Sequence, residues 1–221
     1  MVTVASFWCD RREDYPDAAD YMPLLALLDK SCARLGLRHV VLSDAPVPGF
    51  ETFVTPLPRA LMPATLFAHR DWIARGDWSG GTALVGADCL IGRDLRECFD
   101  GSFDLLFTSR EHRRWPINTG LVCVTEAARI KAAQAWARAA ADCTEEWGDD
   151  QVQIARMVGP VPAEHGVYER RGLRVRFAPL ATHNFTPKRP EIASHAFVVH
   201  FKGPRKGMMA GWAAQHLGIA A

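Results

Sequence analysis

The sequence predicts an α/β fold, a mixed central sheet flanked by helices in one domain, and two patterns carry that prediction. Short β-rich runs alternate with amphipathic helical stretches. One of the runs, Thr82–Val85, is wholly uncharged, as a strand covered on both faces must be. Val2–Phe7 opens the chain as a strand and leads into the polar tract Cys9–Asp14. Tyr21–Leu35 is a helix, with Leu24, Leu25, Leu28 and Cys32 near helical spacing and Gly36 closing it. His39–Leu42 is the second strand and Glu51–Val54 the third, stopped by Pro56 and Pro58. Arg59–Arg75 reads as helix. Further strands are expected at Phe103–Phe107, Asn118–Val124, Gly172–Phe177 and Ala196–Phe201, and helices at Glu126–Ala141, Asp149–Val158 and from Lys206 onward. No repeat or linker interrupts the pattern, so residues 1–221 are expected to form a single domain.

Composition narrows the partners. At 221 residues the chain can bury a core without disulfides or metals. A formal net charge of +1 gives no global field toward nucleic acid or an anionic membrane. The six cysteines are scattered without a Cys-x-x-Cys pair, and most sit in apolar runs, which fits a reducing compartment. The N-terminus enters a strand at once without a basic leader, and no apolar stretch reaches the length of a membrane span. These features predict a cytoplasmic protein. Glycine-rich dinucleotide and P-loop signatures are absent, as are His-Glu-x-x-His and Gly-x-Ser-x-Gly.

Four short segments bear chemistry. Ala87 and Asp88 follow the uncharged strand, at the carboxyl edge where open α/β sheets bind ligands, and Asp88 can hold a divalent cation that bridges a diphosphate. Taken alone, Asp88 is equally a turn or capping residue. Asn118, Thr119 and Gly120 open a strand with amide, hydroxyl and close backbone approach, suited to sugar hydroxyls, or form an ordinary turn. Asp149, Asp150 and Gln151 open a helix, where one carboxylate caps and a second, with the amide, reaches the cleft. His200, Gly203 and Lys206 follow an apolar strand: a ring nitrogen for a metal, a backbone approach to phosphate, and a cation for a departing diphosphate.

In that order the segments resemble the retaining family 8 glycosyltransferases, the glycogenin and lipopolysaccharide galactosyltransferase group. Gly86-Ala-Asp88 stands for the family's Asp-x-Asp, Asn118-Thr-Gly120 for Asn-x-Gly, Asp150-Gln151 for Asp-Gln, and His200 to Lys206 for His-x-x-Gly-x-x-Lys. The resemblance spans about residues 60 to 210. It implies a GT-A fold and a UDP-sugar donor with retention of configuration. It further implies Mn²⁺ or Mg²⁺ on Asp88 and His200, with Asp150, Gln151 and Asn118 around the sugar. Two departures stand out: Gly86 replaces the first Asp, and Gly207-Met208 replaces the usual Pro-Trp after the Lys. The nucleotide base is expected at Phe7, Trp8, Asp10 and Asp44, with Arg70 at the ribose or phosphate.

The acceptor is left open among saccharide, lipid carrier, protein, small molecule and nucleic acid. Basic clusters at Arg110, Arg113 and Arg114, at Arg170–Arg176, at Lys188–Arg189 and at Lys202–Lys206 allow a nucleic-acid-modifying enzyme if they gather on one face with Trp115. Solvated surface charge is the favoured explanation, since many of these Arg sit near Glu and Asp. Loss of the first Asp also allows a nucleotide-sugar binder without turnover.

Overall fold

The computed structural model describes residues 1–11, 13 and 20–220, so part of the Cys9–Asp14 tract lies outside them. In chain order the elements are β1 (Val2–Phe7), α1 (Met22–Ala33), β2 (Arg38–Ser43), β3 (Thr52–Val54), α2 (Leu61–Arg75), β4 (Gly81–Val85), β5 (Cys89–Ile91), β6 (Leu105–Ser109) and β7 (Ile117–Thr125). There follow α3 (Arg129–Ala141), α4 (Asp149–Val158), β8 (Gly166–Arg170), β9 (Leu173–Pro179), α5 (Leu180–His183), β10 (Asn184–Phe185), β11 (Val198–His200) and α6 (Met209–Leu217).

Eight strands form the main sheet in the order β3-β2-β1-β4-β7-β6-β9-β8. β3, β2, β1 and β4 run parallel, β7 is antiparallel to β4 and β6, and β8 is antiparallel to β9. The sheet is mixed, and β4 lies near its middle. Its five residues are all buried, because alternate side chains feed two cores. Leu84 joins Trp72, Phe107 and Trp136 under α2, α3 and α4. Ala83 and Val85 join Leu28 and Cys32 of α1 on the other face. Gly36 ends the turn after α1 at φ +62°, which only a residue without Cβ adopts freely.

Three strands were not foreseen: β5, β8 and β10. β5 and β10 are too short to show a period, and β8 is an edge strand with little buried surface. The C-terminal helix starts at Met209; a 3-10 turn over Gly203–Met208, opened by Gly203 and Pro204, occupies the stretch before it. β5, β10 and β11 form a second sheet in the order β10-β11-β5. Its antiparallel pairing sets His200 against Cys89, the residue after Asp88. All six cysteines are free thiols, as expected. Among the described residues no helix is long and apolar enough to cross a membrane.

Candidate active site

The parallel strands β1 and β4 end on the same side of the sheet, and β7, running the other way, begins there. A cavity of about 740 Å³ opens at that edge. β7 bulges against β6: Phe107 pairs with Val122, but Thr108 pairs with Asn118, so residues 119–121 have no partner on β6, while Leu121 still pairs with Val85 of β4. The bulge turns Thr119 and Gly120 to the cavity wall.

Asp88 stands in a tight turn after β4, closed by Cys89 N donating to Gly86 O at 3.1 Å. The second sheet brings the chain's C-terminal segment against that turn, with Phe201 N donating to Asp88 O at 2.8 Å. In consequence His200 Nε2 is 3.1 Å from Asp88 Oδ1, and Lys206 Nζ is 3.5 Å from Asp88 Oδ2. Burial pushes the Asp88 carboxyl up, but His200 and Lys206 together outweigh it and hold it below its usual range. Burial lowers the Lys206 ammonium, and Tyr21 and Asp88 more than restore it.

Gly120 makes room for His200. A Cβ there would lie 2.1 Å from His200 Nδ1 and 2.9 Å from Asn184 Nδ2, far inside contact distance. The imidazole therefore rests on bare backbone, with Nδ1 buried and unpartnered. Asn118 is buried too: its Oδ1 accepts from Gly120 N at 3.2 Å, and its Nδ2 is an unpartnered donor.

Of the residues expected at the site, Phe7, Trp8, Asp10, Ala87, Asp88, Thr119, Gly120, Gln151, His200 and Lys206 line the cavity. Gln151 Oε1 accepts from Arg110 Nη2 at 3.1 Å. Asp150, beside it on α4, is half-buried, and burial raises its carboxyl to about 6. The other expected residues stand outside the lining. Asp149 turns back onto the chain, accepting from Thr144 N at 2.7 Å, Thr144 Oγ1 at 2.9 Å and Gln153 Nε2. Asp44 pairs with Arg11 at 2.7 Å, and it is Arg11 that faces the cavity. Gly203 adopts φ +56° at the start of the 3-10 turn that presents Lys206.

Arg70 also points elsewhere. Its guanidinium pairs with Asp71 at 2.7 Å and lies over the Phe67 ring. The cavity face of α2 instead carries Leu61, Thr65 and His69, at i, i+4 and i+8. His69 was missed because polar neighbours on one helix do not reveal which of them faces inward. Lys202, named in the Lys202–Lys206 basic cluster, is half-buried and does not line the cavity; burial and the nearby Arg110 charge lower its pKa to about 8.

Two other clusters do not form sites. Ser6 Oγ, His39 and Asp29 make a chain of hydrogen bonds, at 2.8 and 3.0 Å, that resembles a hydrolase triad. Ser6 is fully buried within β1 and does not line the cavity, so its hydroxyl has no route to a substrate. Many basic residues are matched by carboxylates: Arg114 pairs with Glu146, Arg174 with Asp104 at 2.9 Å and Arg176 with Asp100 at 2.7 Å.

No protein-family profile and no curated protein sequence matches the chain. Solved structures do. A glycosyltransferase involved in the glycosylation of the major capsid of PBCV-1 superposes with a TM-score of 0.63 at 16% identity, over 96% of this chain and 98% of that one. The galactosyltransferase LgtC, in complex with donor and acceptor sugar analogues, superposes at 0.56 and 13% identity, over 99% and 97%. WbbM, a bifunctional glycosyltransferase, superposes at 0.60 and 11% identity, over 97% of this chain and 50% of its own. At such identities the likeness is one of fold: the chain has a GT-A fold, and resembles the family 8 glycosyltransferases.

Proposed function

We propose that the protein transfers a sugar from a uridine-diphosphate sugar to an acceptor hydroxyl, with retention of the anomeric configuration. The cluster of Asp88, His200 and Lys206 at the carboxyl end of the central strand supports this reading most directly. It lies in a cavity whose β1 side offers the aromatic rings of Phe7 and Trp8 to a nucleobase.

Asp88 and His200 fit a divalent cation such as Mn²⁺ or Mg²⁺. Oδ1 and Nε2 are 3.1 Å apart, close to the ~3 Å between neighbouring ligands on an octahedral ion of ~2.1 Å bond length. Cys89, whose thiol lies near both, does not fit: burial holds it protonated, and its Sγ donates to Gly120 O at 3.6 Å. Gly86 adds nothing. A Cβ there would be 3.0 Å from Asp88 Oδ1 and 3.9 Å from His200 Nε2, so the missing side chain is one that would reach the same cluster. Two protein ligands leave the remaining positions to donor phosphates and water. When bound, the cation supplies charge neutralisation on the departing diphosphate.

The chain's own groups complete the chemistry. Lys206 adds a fixed positive charge beside Asp88, placed to take up the charge that develops on the leaving diphosphate. Gln151, held by Arg110, orients the sugar. Asp150, one residue before it on α4 and outside the cavity lining, acts through its charge alone, which when ionised favours positive charge at the anomeric carbon. The acceptor hydroxyl attacks on the side that the diphosphate leaves, so no protein nucleophile is needed.

Isothermal titration of UDP with and without Mn²⁺ tests the reading, on wild type, Asp88→Ala and His200→Ala. Metal-dependent binding that both substitutions abolish is the expected result. Absence of UDP binding in every condition would sink the proposal. Metal-independent binding would retain the nucleotide site and remove the cation from it.

A further inference from the structure

His69 lines the cavity without a protein partner among the described residues. The chain has eight histidines. His39, His112, His183, His200 and His216 each hydrogen-bond to a protein group or pair with one. His165 and His195 are exposed to solvent. His69 is half-buried, lines the cavity, and among the described residues has no hydrogen bond, ion pair or ring partner. Its ring nitrogens are open to the cavity, a donor and an acceptor free to meet a ligand.

Its place indicates what that is. α2 runs from the carboxyl edge of the sheet back toward the start of β4, so His69 stands eight residues along the helix from Leu61, about 12 Å deeper. It lines the same cavity as Val85 and Gly86. Charge for a diphosphate is already at hand in Lys206, beside Asp88, and in Arg11, which both line the cavity. Burial lowers the imidazole pKa to about 4, so the ring is uncharged at neutral pH and suits a neutral partner.

We infer that His69 is a donor-recognition residue whose imidazole hydrogen-bonds a hydroxyl of the bound nucleotide sugar, on the ribose or on the transferred sugar. The inference rests on the nucleotide-sugar reading above. It assigns to α2 a contact made through hydrogen bonding rather than through charge, one residue away from the Arg70 expected there.

The test is titration of wild type, His69→Ala and His69→Gln with UDP and with UDP-glucose, UDP-galactose and UDP-N-acetylglucosamine, in one buffer and one metal concentration. His69→Ala is expected to weaken binding about 3- to 10-fold, the worth of one neutral hydrogen bond. His69→Gln, which keeps a donor and an acceptor, is expected to recover most of it. Equal losses for UDP and UDP-sugar place the hydroxyl on the ribose; a loss confined to the UDP-sugar places it on the transferred sugar. Should His69→Ala not fold, His69→Phe keeps the ring volume without hydrogen bonding and carries the same comparison. If the wild type binds and the variants match it within about twofold for every ligand, His69 is not a donor contact. If the wild type binds none of the four, the nucleotide-sugar reading itself fails, and this inference with it.

Discussion

At position 120 the absence of a side chain is what lets the imidazole of His200 lie flat against β7. Gly120→Ala is expected to drive the ring away from Asp88, because the added carbon would sit 2.1 Å from Nδ1. Overpacking of this kind costs about 1–3 kcal/mol. Thermal melting should register that loss, and UDP titration should show the metal dependence weakened as well. A residue that served only to contact sugar would lose affinity without lowering the melting temperature. In the sequence, Asn118-Thr-Gly120 reads as a group of sugar contacts; in the structure its Gly opens space for a histidine eighty residues further along. No local pattern carries that information, because the clash is with a residue the fold brings from elsewhere.

The start of α4 divides its two carboxylates between structure and site. Asp149 is tied to Thr144 and Gln153, and these bonds, with its charged form favoured over the cost of burial, hold its carboxyl below the usual range. It thus adds stability above the unfolded value near 4, lost as pH falls through its lower folded value. Asp150 has the opposite sign: burial raises it to about 6. The folded state therefore binds the extra proton, and stability declines as pH rises from about 4 to 6. Asp149→Ala should melt early, by roughly 2 kcal/mol for hydrogen bonds to a charged group, while retaining the donor site. Asp150→Asn should be at least as stable as wild type at pH 7, yet slow. Wild-type activity should rise as pH passes upward through about 6, and the variant's profile should lack that limb. Helices of this length were legible from periodicity, α4 to its very ends, as were the apolar strands of the main sheet. Of the second sheet only β11 was legible, inside the expected Ala196–Phe201 strand; β5 and β10 were not, since strands of two or three residues show no alternation. The bulge in β7 was equally hidden, because it is a mismatch between two strands and belongs to neither sequence.

Across the whole molecule, several basic side chains of the sequence clusters are paired with carboxylates in the fold. Arg114, Arg174 and Arg176 each hold a carboxylate, and Lys206 holds Asp88 inside the cavity. Single- and double-stranded oligonucleotides are therefore expected not to bind at ~0.15 M salt, where unpaired surface charge is already screened beyond ~8 Å. Fluorescence anisotropy at that salt checks the point, and tight binding that falls steeply with salt would restore nucleic acid as an acceptor. The small sheet has another consequence. It brings His200 and Lys206 to Asp88 from a segment that leaves the ribosome after every other wall of the cavity, since the remaining lining residues all precede them in the chain. A nascent chain can thus complete most of the main sheet while its site still lacks its imidazole and its ammonium. The Asp88 cluster is complete only once β11 docks against β5, so under the proposed function a chain stopped before β11 would hold the cavity without the groups that receive the leaving diphosphate.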